Sequence, residues 1–287
     1  MRSQLLLALM CVGPLALAPS MTPAAVVRDA ALAEPDFEAL AATHAPTIVT
    51  IKFVLKISVG GMGEQENETE TFGVMVDSKG LVMVSNTTLG GFGGMMRRFR
   101  GTEVSIKPTN IKVLVGDDTV GVDAKLIARD TELDLAWVRI EKPSDKGYAA
   151  LDLKVGAELK LGEKFFVVSR EGKFFDRVAS VQEGRVAAVA KKPRHLFLPG
   201  SELGMPVFNS VGKIVGISVL QMPSGDENEG GMSMFGGSSG GPAILPVAEI
   251  VTATERALKT ADENGGSVPE EEPAKGAEEG KEMGDDK

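Results

Sequence analysis

Cysteine is almost missing from this chain. The single Cys11 sits in the N-terminal apolar run, so the rest of the chain has no disulfide framework and no thiol nucleophile. Histidine is nearly as scarce, and a total of two, His44 and His195, excludes zinc ribbons and haem-attachment motifs. One Trp and one Tyr hold the aromatic content to 5%. An excess of basic charge is also lacking. The net charge is −9 and the pI about 5.0, which argues against a nucleic-acid partner. Asp117-Asp118 and Asp130 lack the spacing of a calcium loop and read as turn residues, so neither a metal nor a cofactor is expected. What remains is ordinary globular composition: 43% hydrophobic and 25% charged over 287 residues, with 34 Gly.

The two ends read as processing and tail segments. Met1–Ala18 joins Arg2 to an apolar run too short to span a bilayer comfortably, the form of a secretory signal peptide. Ala25 and the A-x-A site Ala31-Leu32-Ala33 are alternative cleavage points, and an uncleaved anchor is the rival reading. With residues 1–33 as signal peptide, the chain is expected to be secreted or periplasmic, without membrane contact after cleavage. Asp262–Lys287 holds 10 acidic residues and 3 Lys with almost nothing apolar, and it carries −7 of the −9. Such a segment buries too little to offset its ordering entropy. It reads as a solvating tail, or as a docking segment for a basic partner.

Between the ends lie short runs dense in Val, Ile and Phe. They are Thr47–Ser58, Glu70–Asp77, Leu81–Ser85, Ile111–Val115, Val122–Ala128, Leu135–Ile140, Lys164–Ser169, Val178–Ala190, Pro206–Asn209 and Ile214–Leu220. Turn residues punctuate them, as in Asp77-Ser78-Lys79-Gly80 and Asn209-Ser210-Val211-Gly212. A short helix, Phe37–Thr43, leads in. Another closes the fold over Pro246–Thr260, with Val247, Ile250, Val251, Ala257 and Leu258 at helical spacing. Strands without intervening helices predict an all-β sandwich or barrel.

The order of local motifs carries a resemblance. Gly73–Asn86 (GVMVDSKGLVMVSN) resembles the strand–turn–strand that leads to the catalytic His of HtrA/Deg-type trypsin-like proteases. Ala124–Asp130 with Asp134–Val138 resembles the segment carrying the catalytic Asp. Leu159–Val168 resembles the strand opening the second barrel, and Pro206–Asn209 with Gly212–Ile217 resembles the stretch after the nucleophile. The similarity covers about residues 45–260. It implies a trypsin-like double six-stranded β-barrel closed by a C-terminal helix: barrel one about 45–145, barrel two about 150–245 and the helix 246–260, within a domain spanning 34–261.

The catalytic residues do not carry over. The family's His falls on Thr87, its Asp is kept as Asp134, and its Gly-x-Ser-Gly-Gly-Pro motif falls on Ser201–Pro206, which places Leu203 at the nucleophile. A threonine hydroxyl is no base near neutral pH, and leucine has no nucleophilic atom. Loss of His and Ser removes a rate contribution on the order of 10⁶. With no partner to orient, Asp134 reads as a polar residue opening a strand. Glycines are missing from the nucleophile loop as well, which puts the oxyanion hole in question. One decoy matches the motif letter for letter: Gly237-Ser238-Ser239-Gly240-Gly241-Pro242. It lies in the Gly/Ser/Met-biased stretch Gly230–Gly241, with only Pro242–Leu245 left for a strand before the helix, so Ser239 is the lesser candidate nucleophile. His44 and His195 read as ordinary surface or loop histidines.

Three loops share an odd composition: Gly60–Gly63 (GGMG), Gly90–Met96 (GGFGGMM) and Gly230–Gly237 (GGMSMFGG). Methionine is soft and recurs on promiscuous binding surfaces. By the resemblance, the last two loops flank the dead cleft. Met95, Met96, Arg97, Arg98, Met232, Met234 and Phe235 then form an apolar rim for an unfolded peptide or a partner protein; loops whose methionines arose by drift are the bland alternative. The sequence therefore points to a pseudoprotease acting by protein binding. A working serine endopeptidase in extracytoplasmic quality control and a structural or assembly component are the other readings. The peptide-sensing PDZ module common among relatives is not visible, while barrel-to-barrel homo-oligomers remain compatible with the chain.

Overall fold

The computed structural model describes residues 35–59, 63–91, 104–222 and 240–263. Helix α1 (Phe37–His44) starts where the Asp36 side chain accepts the Glu38 and Ala39 N–H groups, at 3.0 and 3.1 Å. Six strands come next: β1 (Ile48–Val59), β2 (Glu64–Asp77), β3 (Leu81–Ser85), β4 (Val104–Leu114), β5 (Val122–Asp130) and β6 (Leu135–Ile140). They close into a barrel in the order β1-β2-β3-β6-β5-β4, every pair antiparallel. The β2–β3 turn forms as the sequence predicts. Asp77 accepts the N–H of Lys79 on its side chain and that of Gly80 on its carbonyl. Gly80 sits at φ +89°, where a Cβ would also meet Ile140 at 2.9 Å.

The second half contains β7 (Lys164–Arg170), β8 (Ala179–Arg185), β9 (Ala188–Ala190), β10 (Leu196–Leu198), β11 (Pro206–Asn209), β12 (Ile214–Gln221) and β13 (Gly241–Pro246). It forms the second barrel that the resemblance implies, as a half-barrel with seven strands rather than six. Seven strands pair in the order β8-β7-β11-β12-β13-β10-β9, a half-barrel whose ends do not hydrogen-bond to each other. Two local readings change with it. The run Val178–Ala190 divides into β8 and β9 around Val186, whose N–H turns to the Glu163 carbonyl at 2.9 Å. Pro246 ends β13 rather than opening the helix, and α2 runs Val247–Glu263, into the first two residues of the predicted tail.

Some strands read as near-continuous apolar runs because both of their faces are buried. Val49, Ile51, Phe53, Val82, Val84, Ala136, Val138 and Ile140 fill the closed barrel. Their neighbours Ile48, Leu81, Met83, Leu135 and Trp137 point the other way, into a second core shared with Phe166, Phe197, Phe208 and Ile250. That second core joins the two halves and α2. Each large side chain so buried contributes roughly 1.5–3 kcal/mol. The Trp137 Nε1 donates to Thr254 Oγ1 at 3.1 Å, tying α2 to the first barrel.

Polar bonds cross the junction between halves. Arg170 on β7 donates to the carbonyls of Ile48 (3.2 Å) and Ala45 (3.0 Å), at the start of the first barrel. Arg177, in the β7–β8 turn, holds both carboxylate oxygens of Glu70 on β2 at 3.0 and 2.8 Å.

Candidate functional site

The junction between the halves brings the three triad-equivalent positions into one neighbourhood. Asp134 precedes β6, is 3% exposed and adopts φ +58°, a left-handed conformation that Asp tolerates better than most residues. From there its carboxylate accepts three bonds: Ser85 Oγ at 2.8 Å and Leu220 N–H at 2.8 Å on Oδ2, and Thr87 N–H at 2.7 Å on Oδ1. The Asp134 carbonyl takes the Asn86 N–H at 3.0 Å. Asp134 is thus more than a polar residue opening a strand. It fastens β3 and the turn after it to β12, across the two halves.

Thr87 meets Asp134 through its backbone, not its hydroxyl. It begins a tight turn, Thr87–Gly91, in which Thr88 Oγ1 donates to the Ser85 carbonyl at 3.1 Å. Arg129 on β5 clamps this turn, donating to Asn86 Oδ1 and, at 3.1 Å, to the Leu89 carbonyl. Both histidines have partners other than the triad positions. His44 stacks on Phe208 with ring centroids 4.0 Å apart, and burial lowers its pKa against a raising bond with the Gly212 backbone. His195 lies edge-on to Phe197, with Nε2 3.8 Å from the Glu158 carboxylate. No imidazole is bonded to Asp134.

The nucleophile loop is the third component. Gly204 sits at φ +82°, and a Cβ there would lie 3.1 Å from Ser85 N, which places Leu203-Gly204 against β3. Leu203 supplies a half-buried aliphatic side chain at the nucleophile position. In serine proteases the oxyanion hole uses the N–H of the nucleophile and of the residue two before it. The latter is Ser201, whose N–H is already given to Ser218 Oγ at 2.9 Å, while Ser218 Oγ donates back to the Ser201 carbonyl at 3.0 Å. The Gly204 N–H goes to the Ser218 carbonyl at 2.7 Å. Both N–H groups thus bond to Ser218 on β12.

Glu202, beside Leu203, is a residue that sequence reasoning passed over. Its Oε2 accepts the Ser169 hydroxyl at 2.5 Å. Burial pushes its pKa up, the Ser169 bond lowers it, and the Glu171 charge adds to the rise. Ser85, Ser218 and Leu220 were also missed. A backbone N–H partner 86 residues away in sequence leaves no side-chain signal.

Met95, Met96, Arg97, Arg98, Met232, Met234, Phe235 and Ser239 lie outside the described residues, as do Cys11 and residues 264–287. Asp118 lies in a turn region as read, whereas Asp130 ends β5 and caps the turn that follows it. Asp118 accepts the Val120 and Gly121 N–H groups, and Asp130 the Leu133 N–H. Among the described residues no His, Cys, Asp and Glu group could hold a metal ion, and no helix is long and apolar enough to cross a membrane. A concavity of about 600 Å³ lies away from the triad positions, lined by Lys125, Ile127, Arg139, Ile140, Glu141, Ala261 and Asp262.

No curated protein matches the chain. A solved structure of the HtrA-type protease AlgW, a serine-to-alanine variant with a tripeptide, is similar at 14% identity and a TM-score of 0.48. The match covers 78% of this chain and 64% of that one. The sequence profile of the trypsin-like peptidase domain matches residues 71–217, from within β2 to within β12, and so takes in all three triad positions. By that match over half its length, the chain belongs to the trypsin-like peptidase domain family.

Proposed function

We propose that this chain is an HtrA-like protease homologue that has lost triad catalysis and works by holding protein. The observation that carries the reading is the closed environment of Asp134. Its carboxylate is bonded by Ser85, Thr87 and Leu220 and by no imidazole, and the Leu203-Gly204 loop lies against Ser85 with an aliphatic side chain at the nucleophile position. A serine triad needs a base within hydrogen-bond reach of the hydroxyl and free N–H donors for the oxyanion. This neighbourhood offers an aliphatic side chain, and its Ser201 N–H is spent on Ser218.

In this reading the cleft binds without cutting. Its ligand is an unfolded or extended peptide, or a partner protein, held by the Met-rich loops around residues 90–96 and 230–237. The apolar N-terminal run directs the chain out of the cytoplasm, to a secreted or periplasmic location. The purified protein is expected to capture unfolded casein without cleaving it. Replacing Met95, Met96, Met232 and Met234 by Ser weakens that capture several-fold. Unchanged capture overturns the rim, and casein cleavage that disappears in Ser239→Ala establishes a working endopeptidase instead.

A further inference from the structure

Strand β2 is longer than its apolar part. Ile48 through Ser58 of β1 pair with it from Val74 back to Glu64, whereas β3 pairs only with Val74–Asp77. Among the described residues no strand covers the other edge over Glu64–Thr71, and no further backbone bond reaches it. In an antiparallel pair, alternate residues turn their N–H and C=O away from the partner. This stretch therefore offers a row of free donors and acceptors, to which an extended chain can add as a strand.

Two features beside the edge indicate what would add. Glu64, Glu66, Glu68 and Glu70 occupy one face, by the two-residue period of the strand. On β1 only Lys52 and Lys56 answer the first three: Lys52 pairs with Glu68 at 2.7 Å, and Lys56 is shared by Glu64 and Glu66 at 3.3 and 2.6 Å. Those three carboxylates keep more than half their side-chain surface exposed and share two β1 lysines. The second feature is aromatic. Phe174 is 91% exposed, Phe175 60% and Val178 53%. The two rings meet edge-to-face at 5.0 Å on a turn fixed by left-handed Asp176 and Arg177, with Arg170 Nη1 donating to the Arg177 carbonyl at 3.0 Å. The Arg177 side chain ends on Glu70, so this aromatic turn stands at one end of the open edge, on its charged face.

We propose that the free edge of β2 together with Phe174 and Phe175 is a docking surface for an extended strand of another protein, basic at alternate positions and apolar at one end. This surface uses none of the Met-rich loops, although β2 runs on from it to Phe72, whose carbonyl lies beside Gly204. Strand addition supplies main-chain bonds, the basic residues meet the glutamate row, and the apolar residue covers an aromatic pair already held in place, which lowers the ordering cost. Self-pairing is disfavoured. Any register that keeps two copies' charged faces together sets glutamate against glutamate along the edge.

The probe is fluorescein-labelled Trp-Thr-Lys-Thr-Lys-Thr-Lys-amide, which in antiparallel pairing sets its lysines opposite Glu68, Glu66 and Glu64 and its Trp near Glu70. Anisotropy with the purified protein shows saturable binding that weakens as salt rises. Glu66→Lys with Glu68→Lys weakens binding by about tenfold or more, and this variant prefers the peptide with Glu in place of Lys, which shows that it is folded. Phe174→Ser with Phe175→Ser also weakens binding. Of two peptides N-methylated at alternate residues, in opposite phase, at least one loses binding. Replacing the four rim methionines by Ser leaves binding intact, so failure here is distinct from failure of the cleft. The proposal is overturned by the absence of saturable binding, by equal binding of the Lys and Glu peptides, by retention in both N-methylated forms, or by loss in the methionine variant.

Discussion

At the scale of single residues, Asp134 holds the fold together. Asp134 brings three donors into a buried place, and each is left unsatisfied if the carboxylate goes. Asp134→Ala is expected to destabilise the protein by about 2–4 kcal/mol in urea unfolding. A loss within about 0.5 kcal/mol would remove its role as a fastener. Glu202 gives a pH signature. Its folded pKa is raised, first by burial, above the ordinary 4.5, so the fold binds this proton more tightly than the unfolded chain does. Its contribution is therefore full below pH 4.5 and declines as pH rises through the folded pKa. Glu202→Gln, which can still accept the Ser169 hydroxyl, is expected to be more stable than the parent near pH 7, with the gain vanishing under acid. His44 runs the other way. Burial lowers its pKa below 6.5, so the stability it adds is present above that value and is lost as pH falls through the folded pKa. His44→Phe, which keeps a ring on Phe208, should lessen the fall in Tm between pH 7 and pH 5; an unchanged fall would contradict it.

At the scale of elements, legibility tracked burial. Leu81–Ser85, Leu135–Ile140 and Pro206–Asn209 match their expected limits to the residue, because buried apolar runs stop at turn residues on either side. The polar half of β2 (Glu64–Thr69) and the three-residue β10 were missed. Nothing in a run of Glu, Gln, Asn and Thr marks it as a strand; its pairing partner on β1 does. The second barrel follows from the resemblance, while its seventh strand and open ends do not, because no local sequence feature reports whether distant strand edges meet. Helix α2 was legible from its spacing, while its role depends on the second core. Ile250 is fully buried there, and Ile250→Ala is expected to cost about 2–5 kcal/mol in denaturant unfolding. A cost below about 1 kcal/mol would show that the helix is peripheral.

At the scale of the whole molecule, the two halves share one core and a set of crossing bonds, and they should unfold together. Arg170 alone spans three backbone carbonyls, those of Ile48, Ala45 and Arg177. Arg170→Ala is expected to lower stability by about 2–3 kcal/mol, while fluorescence and circular dichroism keep coincident transitions. Separate transitions in the parent protein would contradict a single cooperative unit. The same scale holds the central functional claim. Motif spacing singled out Thr87, Asp134 and Leu203, but only the assembled junction shows which groups bond the Asp134 carboxylate and where the Ser201 N–H goes. The most direct test is to incubate the purified protein with a fluorophosphonate probe beside an active trypsin-like enzyme, with and without unfolded protein present, and to map adducts by mass spectrometry. The account predicts labelling of the enzyme and none of this chain in either condition. An adduct on Ser239 or Ser201 would reveal an activated serine and contradict it.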